Sequence, residues 1–427
     1  MRFKLSKYII PSVVSMVVVG SNANIDGLFI GNIMGDDGLA AINIVWPIVA
    51  FAAAAGTGAG TGGAVMLNRL RGRGEEGRAE TVKNTALVFL PLFGVIAGIL
   101  LCIFRAPLLS LMGAEGAVFA LASDYALVIG GGAAAQICGA GIVVLLRNDG
   151  KTYEGMALSI AGLVIHIVLD ALLAKELGMK GVAAATVISQ AVIAVAGYVM
   201  IKKDRGAGIS RAVTGEMLKS AAAPFGLNFV PSLVLLFTNV FALRSGGTAA
   251  VSAYAVMSYA VYTFDYIFQG VCDGVQPVIS YSCGADDMES RKRAVGCGAL
   301  IMGITSVLFS LSTPLLIGVM PKLFAVSETA EKLMDTGFII YAFSYPFKAA
   351  AKFICAYYYA CGEKTVSNIL VYLDPLVLTP LFLYIGSKTL GTDGVWAAMT
   401  AAQIMLCAAG VTFILIKNRK TAAEVSE

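Results

Sequence analysis

Apolar stretches of about 20 residues recur along the whole chain, each long enough to carry a helix across a hydrocarbon core of about 30 Å. They fall at roughly 8–32, 38–66, 82–104, 118–146, 154–174, 180–201, 217–243, 248–282, 294–319, 333–360, 366–387 and 394–416. The breaks between them are short and carry the glycines and most of the charges. This pattern predicts an all-α polytopic membrane protein with twelve transmembrane helices.

The same plan runs twice. Gly181-Val-x-Ala-Ala-x4-Gln190 returns as Gly394–Gln403, and Gly150-Lys-Thr returns loosely as Gly362-Glu-Lys-Thr. Gly72 and its charged tail return at Gly284, and Pro11 returns at Pro224. The spacing is about half of the 427 residues, which divides the chain into lobes at 1–203 and 217–427, joined by a polar linker at 204–216. An even number of crossings per repeat sets both lobes the same way up, related by a pseudo-two-fold axis along the membrane normal.

Composition sharpens this. Hydrophobic residues make up 58% and charged residues 14%, with mean hydropathy +0.81. Soluble domains carry about a quarter charged residues, so a soluble fold is excluded. Lys and Arg number 22 at the ends and loops on the side of the termini and 7 on the other side. That asymmetry places both termini in the cytoplasm and accounts for the net charge of +4 without a nucleic-acid partner. No cleavable leader is expected, because the first apolar span is longer than a signal-peptide core. The eight cysteines lie mostly inside spans with no CxxC spacing, and read as small packing residues. Small residues crowd Ala52–Gly63 and Gly130–Gly141, where helices are expected to pack closely. The glycines at 56–63 are no phosphate loop, since no strand precedes them and no Lys-Ser/Thr follows.

An ionisable group at the bilayer centre costs about 2.5–3.5 kcal/mol, so each one is a functional candidate. The first span carries Ser15, Asn22 and Asp26 on one helical face. The fifth carries Ser159, Gly162, His166 and Asp170 on one stripe, with His166 and Asp170 a single turn apart. The sixth adds Thr186 and Gln190. Shifted by one repeat, Asp26 falls on Asn239 and Asp170 on Phe382 or Leu383. Both carboxylates are thus missing from the second half, which places a cation-coupling site in the first. His166 is the single histidine of the chain. A histidine one turn from a carboxylate can share a proton with it.

The second half offers Asp265 and Asp374, with Tyr341, Tyr345, Lys348, Lys352 and Tyr359 on one stripe. The two lysines and two aspartates either neutralise one another or, with Gln136 and Tyr345, line a substrate cavity.

These residues resemble the multidrug and toxic compound extrusion (MATE) family of the flippase superfamily, in its DinF-like and MepA-like bacterial branch. The matching stretches are Pro11…Asn24-Ile-Asp26-Gly-Leu-Phe-Ile-Gly31, Gly38-Leu-Ala-Ala41, Gly60–Gly63 and Gly72-Arg-Gly74. Arg147-Asn-Asp-Gly150, Leu169-Asp170, Gly181–Gln190 and Gln276-Pro277…Tyr281…Gly284-Ala285 complete them, covering the whole chain. The resemblance implies a twelve-helix, V-shaped fold of two six-helix lobes and antiport of substrate against H+ or Na+. It implies a first-lobe cation site at Asp26, His166, Asp170 and Thr186, with Asn22 beside it, and a helix bend at Pro11 linked to protonation.

Three positions depart from the family pattern. His166 stands where the motif has Asn, exchanging a carbonyl oxygen suited to Na+ for imidazole nitrogen. This shifts the expected coupling ion toward H+, leaving Na+ at Asp26 and Asp170 as the alternative. The seventh span holds no carboxylate, and Lys348 with Lys352 would suit an anionic or zwitterionic substrate if unpaired. The expected function is export of amphiphilic organic molecules by a monomeric antiporter with no cofactor. A lipid-linked saccharide flippase is the alternative. An enzyme is disfavoured, because one histidine and no His-Glu-x-x-His leave no catalytic set.

Overall fold

With no water inside the hydrocarbon core, each crossing segment must satisfy its own backbone, and the α-helix does so internally. The computed structural model describes residues 4–201, 206–324 and 326–426, as helices joined by turns, bends and short irregular links. Arg2 and the Lys202–Arg205 stretch around the expected linker lie outside the described residues.

Helices α1 (Ser6–Gly35) and α2 (Asp37–Gly72) form one run of 67 residues broken only at Gly35. Unbroken, it would be about 100 Å long, over three times the hydrocarbon thickness. Gly35 has φ 62 and ψ −149, a conformation open almost to glycine alone. Gly178 (φ 57, ψ −135) likewise separates α5 (Thr152–Leu177) from α6 (Met179–Met200). Gly247 (φ 64, ψ −158) divides the 74 residues of Arg211–Gly284 into α7 (211–246) and α8 (248–284). Gly391 (φ 61, ψ −131) divides α11 (364–390) from α12 (392–426). Gly35 and Gly247 are 212 residues apart, Gly178 and Gly391 213, so the repeat extends to the residues that reverse the chain.

The remaining crossings are α3 (Glu76–Leu111), α4, α9 (Met288–Ser312) and α10. Helix α4 is a bent pair, Gly116–Gly131 and Ala133–Asn148, angled at 59°. Helix α10 is likewise Glu328–Ala342 and Tyr345–Ala360 at 51°, so the expected continuous stripe from Tyr341 to Tyr359 is broken near Ser344. The described residues thus hold twelve crossing segments once the glycine breaks and bent pairs are counted. The outer face of α3 carries Leu92, Val95, Ile96, Ile99, Ile103 and Phe104, each about half exposed, as a helix solvated by lipid requires. No disulfide forms among the described residues.

The chain falls into two compact units, Met1–Phe229 with Asp273–Arg291, and Val230–Cys272 with Lys292–Glu427. In the first, α2 crosses α4 on glycines. A Cβ on Gly56 would sit 2.5 Å from Ile137 O, and one on Gly60 2.8 Å from Gly141 O. The crowded small residues at 52–63 and 130–141 therefore do meet.

The same unit holds a reciprocal seam. A Cβ on Gly72 would strike the carbonyl of Tyr281, and one on Gly284 the carbonyl of Arg69. Gly72 and Gly284 are repeat partners, as are Arg69 and Tyr281. Gly62 lies against Ala221, and its partner Gly274 lies against Ile9. Each contact is made twice by equivalent residues, the signature of a local two-fold axis.

Gly284→Ala is expected to lower the thermal midpoint, since a methyl must push a pair of backbones apart with no side chain able to yield. The cost is about 1–3 kcal/mol. Gly296→Ala, in exposed α9 with nothing within 4 Å of its Cβ, should instead leave the midpoint equal or raised. Equal midpoints for the two variants in a detergent thermal melt would show that the seam does not bear on stability.

Next to the seam lies a charged network. Arg71 reaches Asp149 at 2.8 Å and Glu80 at 3.0 Å, and Lys83 reaches Glu80 at 2.5 Å. Buried Arg147 pairs with Asp273 at 3.2 Å, and Asn68 donates to Asn148 Oδ1 at 2.5 Å. Gly150 follows at φ 85, so every position of Arg147-Asn-Asp-Gly150 has a structural task. Several of the basic residues that bias topology are therefore also buried ion-pair partners.

Candidate functional site

Helix α5 is a regular helix, so residues four apart stack one turn above another. His166 and Asp170 accordingly share a buried stripe, with Ser159 and Gly162 on the same side. Asp26 comes from α1, 140 positions away in sequence, and Thr186 from α6. His166 Nε2 lies 2.9 Å from Asp26 Oδ1, 3.3 Å from Asp170 Oδ2 and 3.2 Å from Thr186 Oγ1. Asp26, His166 and Asp170 are 4%, 1% and 0% exposed, so three ionisable groups form one buried cluster in the first unit.

Neutral donors complete the group unevenly. Tyr125 Oη donates to Asp26 Oδ2 at 3.0 Å. Neither oxygen of Asp170 receives a hydrogen bond, and His166 Nδ1 is also without a partner. Two buried carboxylates beside one imidazole leave the site short of positive charge, which a bound proton or metal cation would supply. Sequence spacing does not single out Tyr125. The available signal is the single phenol of the Gly116–Gly131 half-helix, next to Ser123 and Asp124. A buried tyrosine needs a partner for its hydroxyl.

The other first-unit candidates stand differently. Asn22 is one turn before Asp26 on α1, and its Oδ1 is buried without a hydrogen-bond partner. Gln136 is buried in α4, and its Oε1 also lacks a partner. Pro11 sits inside α1, which stays helical through it and departs from helical geometry only at Gly35.

The second unit holds a separate cluster. Lys352 Nζ lies 2.7 Å from Asp265 Oδ2 and 3.3 Å from the Asp265 carbonyl, while Lys348 Nζ lies 3.1 Å from Oδ1. Both ammoniums thus share one carboxylate. Asp374 is bound by neutral donors, Thr379 Oγ1 at 2.7 Å and Gln403 Nε2 at 2.9 Å. It opens a π-helical turn, Asp374–Leu378. Pro375 within that turn has no N–H to donate, which accounts for the local widening of the helix. Tyr345 is buried, edge-on to Phe264 with centroids 5.3 Å apart. Of the two arrangements open in the sequence, pairing is realised for Asp265 and not for Asp374.

Membrane-spanning repeats, each with a bent fourth helix, and a buried charge group in the first of them describe a transporter. A family model described as MatE matches the chain once in each half, at residues 11–172 and 225–385. The chain belongs to the MatE family. It is a multi-pass membrane transporter and not an enzyme. Among its relatives is a multidrug export protein, MepA, of Staphylococcus saprophyticus, 24% identical over 413 residues spanning 92% of this chain and 89% of that one. The MepA of Staphylococcus aureus strain NCTC 8325 is 23% identical over 411 residues, with the same coverage.

Solved MatE-like structures share the fold. A MOP superfamily transporter from Pyrococcus furiosus, described as having a binding pocket of reverse polarity, superposes with a TM-score of 0.90 at 22% identity, over 98% of this chain and 96% of that one. A MATE transporter of Vibrio cholerae, VcmN, gives 0.88 at 19% identity, over 97% and 96%. The MatE fold of twelve helices in two six-helix lobes is therefore that of this chain.

Proposed function

We propose that the protein is a secondary active antiporter of a bacterial plasma membrane that exports amphiphilic organic compounds in exchange for H+. The observation that carries this reading is the buried Asp26–His166–Asp170 group, with Thr186 at 3.2 Å from the ring. Such a group is costly inside a bilayer unless it works with a cation. The substrate class comes from the MepA relatives, whose name is multidrug export protein. Both termini lie in the cytoplasm on the balance of Lys and Arg, and one chain suffices.

Coupling needs only that the cation and the substrate prefer different states of the protein. Protons taken up at Asp26 and Asp170 from outside favour release of substrate, with α1 bending at Pro11. His166 selects the ion: an imidazole nitrogen suits a proton better than the hard Na+ that an Asn oxygen would hold. The flippase alternative calls for a strongly cationic cavity, and the sharing of Asp265 by Lys348 and Lys352 speaks against it.

Fluorescent-dye efflux from everted vesicles, with and without Na+, tests this. Wild-type export is expected to collapse with a protonophore and to ignore Na+, while His166→Asn gains Na+ dependence. Na+-driven export in the wild type, unchanged in His166→Asn, would overturn the assignment of His166 and of H+.

A further inference from the structure

We infer that Asp26, His166 and Asp170 also form a binding site for one divalent transition-metal cation of the zinc class. Each residue offers one ligand atom, and the three atoms lie within 4.8 Å of one another. The separations carry the argument further than proximity. Metal–ligand bonds of about 2.05 Å set ligand atoms about 2.9 Å apart at a right angle and about 3.3 Å apart at the tetrahedral angle. His166 Nε2 lies 2.9 Å from Asp26 Oδ1, 3.3 Å from Asp170 Oδ2 and 3.2 Å from Thr186 Oγ1. All three separations radiate from Nε2 and match such edges, and the Asp26 and Asp170 ligand atoms lie within 4.8 Å of each other. An ion with bonds of about 2.4 Å, as for Ca2+, would need right-angle edges of about 3.4 Å.

The chemistry agrees. One imidazole with two carboxylates is a nitrogen–oxygen set that favours zinc and its first-row neighbours over the alkaline earths. With the ring neutral the three residues carry two negative charges, which one divalent ion cancels inside a buried cluster. Asp170 is fully buried and neither of its oxygens accepts a hydrogen bond, with the His166 ring at 3.3 Å as its one ion-pair neighbour among the described residues. Tyr125 Oη holds Asp26 Oδ2 at 3.0 Å, leaving Oδ1 toward the imidazole, which is how an outer hydroxyl orients a ligand.

Binding itself stands on this geometry alone. That an occupied site would also stop export rests on the coupling reading given above. Co2+ added to the purified, detergent-solubilised full chain is the probe. One equivalent is expected to give visible d–d bands, and His166→Asn and Asp170→Asn should lose them. Tyr125→Phe, which keeps all three ligands, should keep the bands and weaken Co2+ binding about 10- to 100-fold. It also serves if the ligand variants do not yield folded protein. Bands that survive in His166→Asn, unchanged Co2+ affinity in Tyr125→Phe, or a wild type that binds no equivalent of Co2+ would each overturn the site.

A parallel Zn2+ arm, read on dye efflux, separates the two readings. Co2+ bound while Zn2+ leaves export untouched keeps the metal site and removes the coupling role. No Co2+ bound while Asp170→Asn abolishes export removes the metal site and keeps the coupling role.

Discussion

Asp170→Asn is expected to abolish gradient-driven export and leave a folded transporter. The side chain keeps its size, so the fully buried position on α5 is not opened into a cavity. What disappears is one of the two carboxylates that face the His166 ring and, on the antiport proposed above, the affinity for the coupling cation. A coupling free energy between two sites corresponds to about 5- to 150-fold in affinity, so uphill export should fall by at least that order. Downhill exchange of substrate, which needs no cation gradient, should continue. Everted vesicles with an imposed proton gradient measure the first, and dye counterflow measures the second. Full gradient-driven export in the variant would remove Asp170 from the coupling site. Loss of both activities together with an aggregated elution profile would mark the residue as structural.

Asp265→Asn is expected to destabilise the second unit strongly. Among the described residues its carboxylate is the one anion within ion-pair distance of both Lys348 and Lys352, at 3.1 and 2.7 Å. An amide of the same size leaves the buried Lys352 and the partly exposed Lys348 without their shared carboxylate. Breaking a buried pair by removing one partner costs about 3–5 kcal/mol. The compensating experiment is more telling than the loss. Asp265→Leu combined with Lys348→Met and Lys352→Met removes every charge at once and is expected to recover most of the thermal stability, because the desolvation penalty disappears with the ions. A single Asp265→Asn variant that melts within a degree of the wild type would show that the lysines do not need this carboxylate. A triple variant that melts as low as the single one would show that packing, and not charge, carries the stability.

The two clusters differ in how far the amino-acid sequence announces them. His166 and Asp170 are a turn apart on one helix, and helical periodicity is a local property. Their shared face is therefore readable from spacing alone. Asp26 joins them because both it and Asp170 lack counterparts one repeat later. Tyr125 does not, since nothing in a single half-helix says which neighbour its hydroxyl will meet. In the second unit the charges are visible, but their pairing is not. Lys348 and Lys352 sit 83 and 87 residues from Asp265. Only the rotation of α10 against α8 puts both on one carboxylate and leaves Asp374 to Thr379 and Gln403.

The glycines make the same division from the other side. Repeats around Gly181 and Gly394 announce two related halves, because an internal duplication is written along the chain. The reversals at Gly35, Gly178, Gly247 and Gly391 follow the same period. They are nevertheless hard to see, because a glycine that needs positive φ looks, in one dimension, like any glycine in an apolar span. The seam in which Gly72 meets the backbone at Tyr281, and Gly284 that at Arg69, cannot be read at all. It depends on how two helices 212 residues apart cross.

The sequence by itself therefore determined that this is a helical membrane protein with a duplicated plan and intramembrane charge, because hydropathy, period and composition act locally along the chain. Only the tertiary structure decided which charges neutralise which, which hydroxyl orients Asp26, and which glycines bring backbones into contact. Those outcomes depend on the rotation and crossing of helices distant in sequence. Inside a bilayer that rotation is set by close packing and ion pairing rather than by a hydrophobic face that a sequence pattern would reveal.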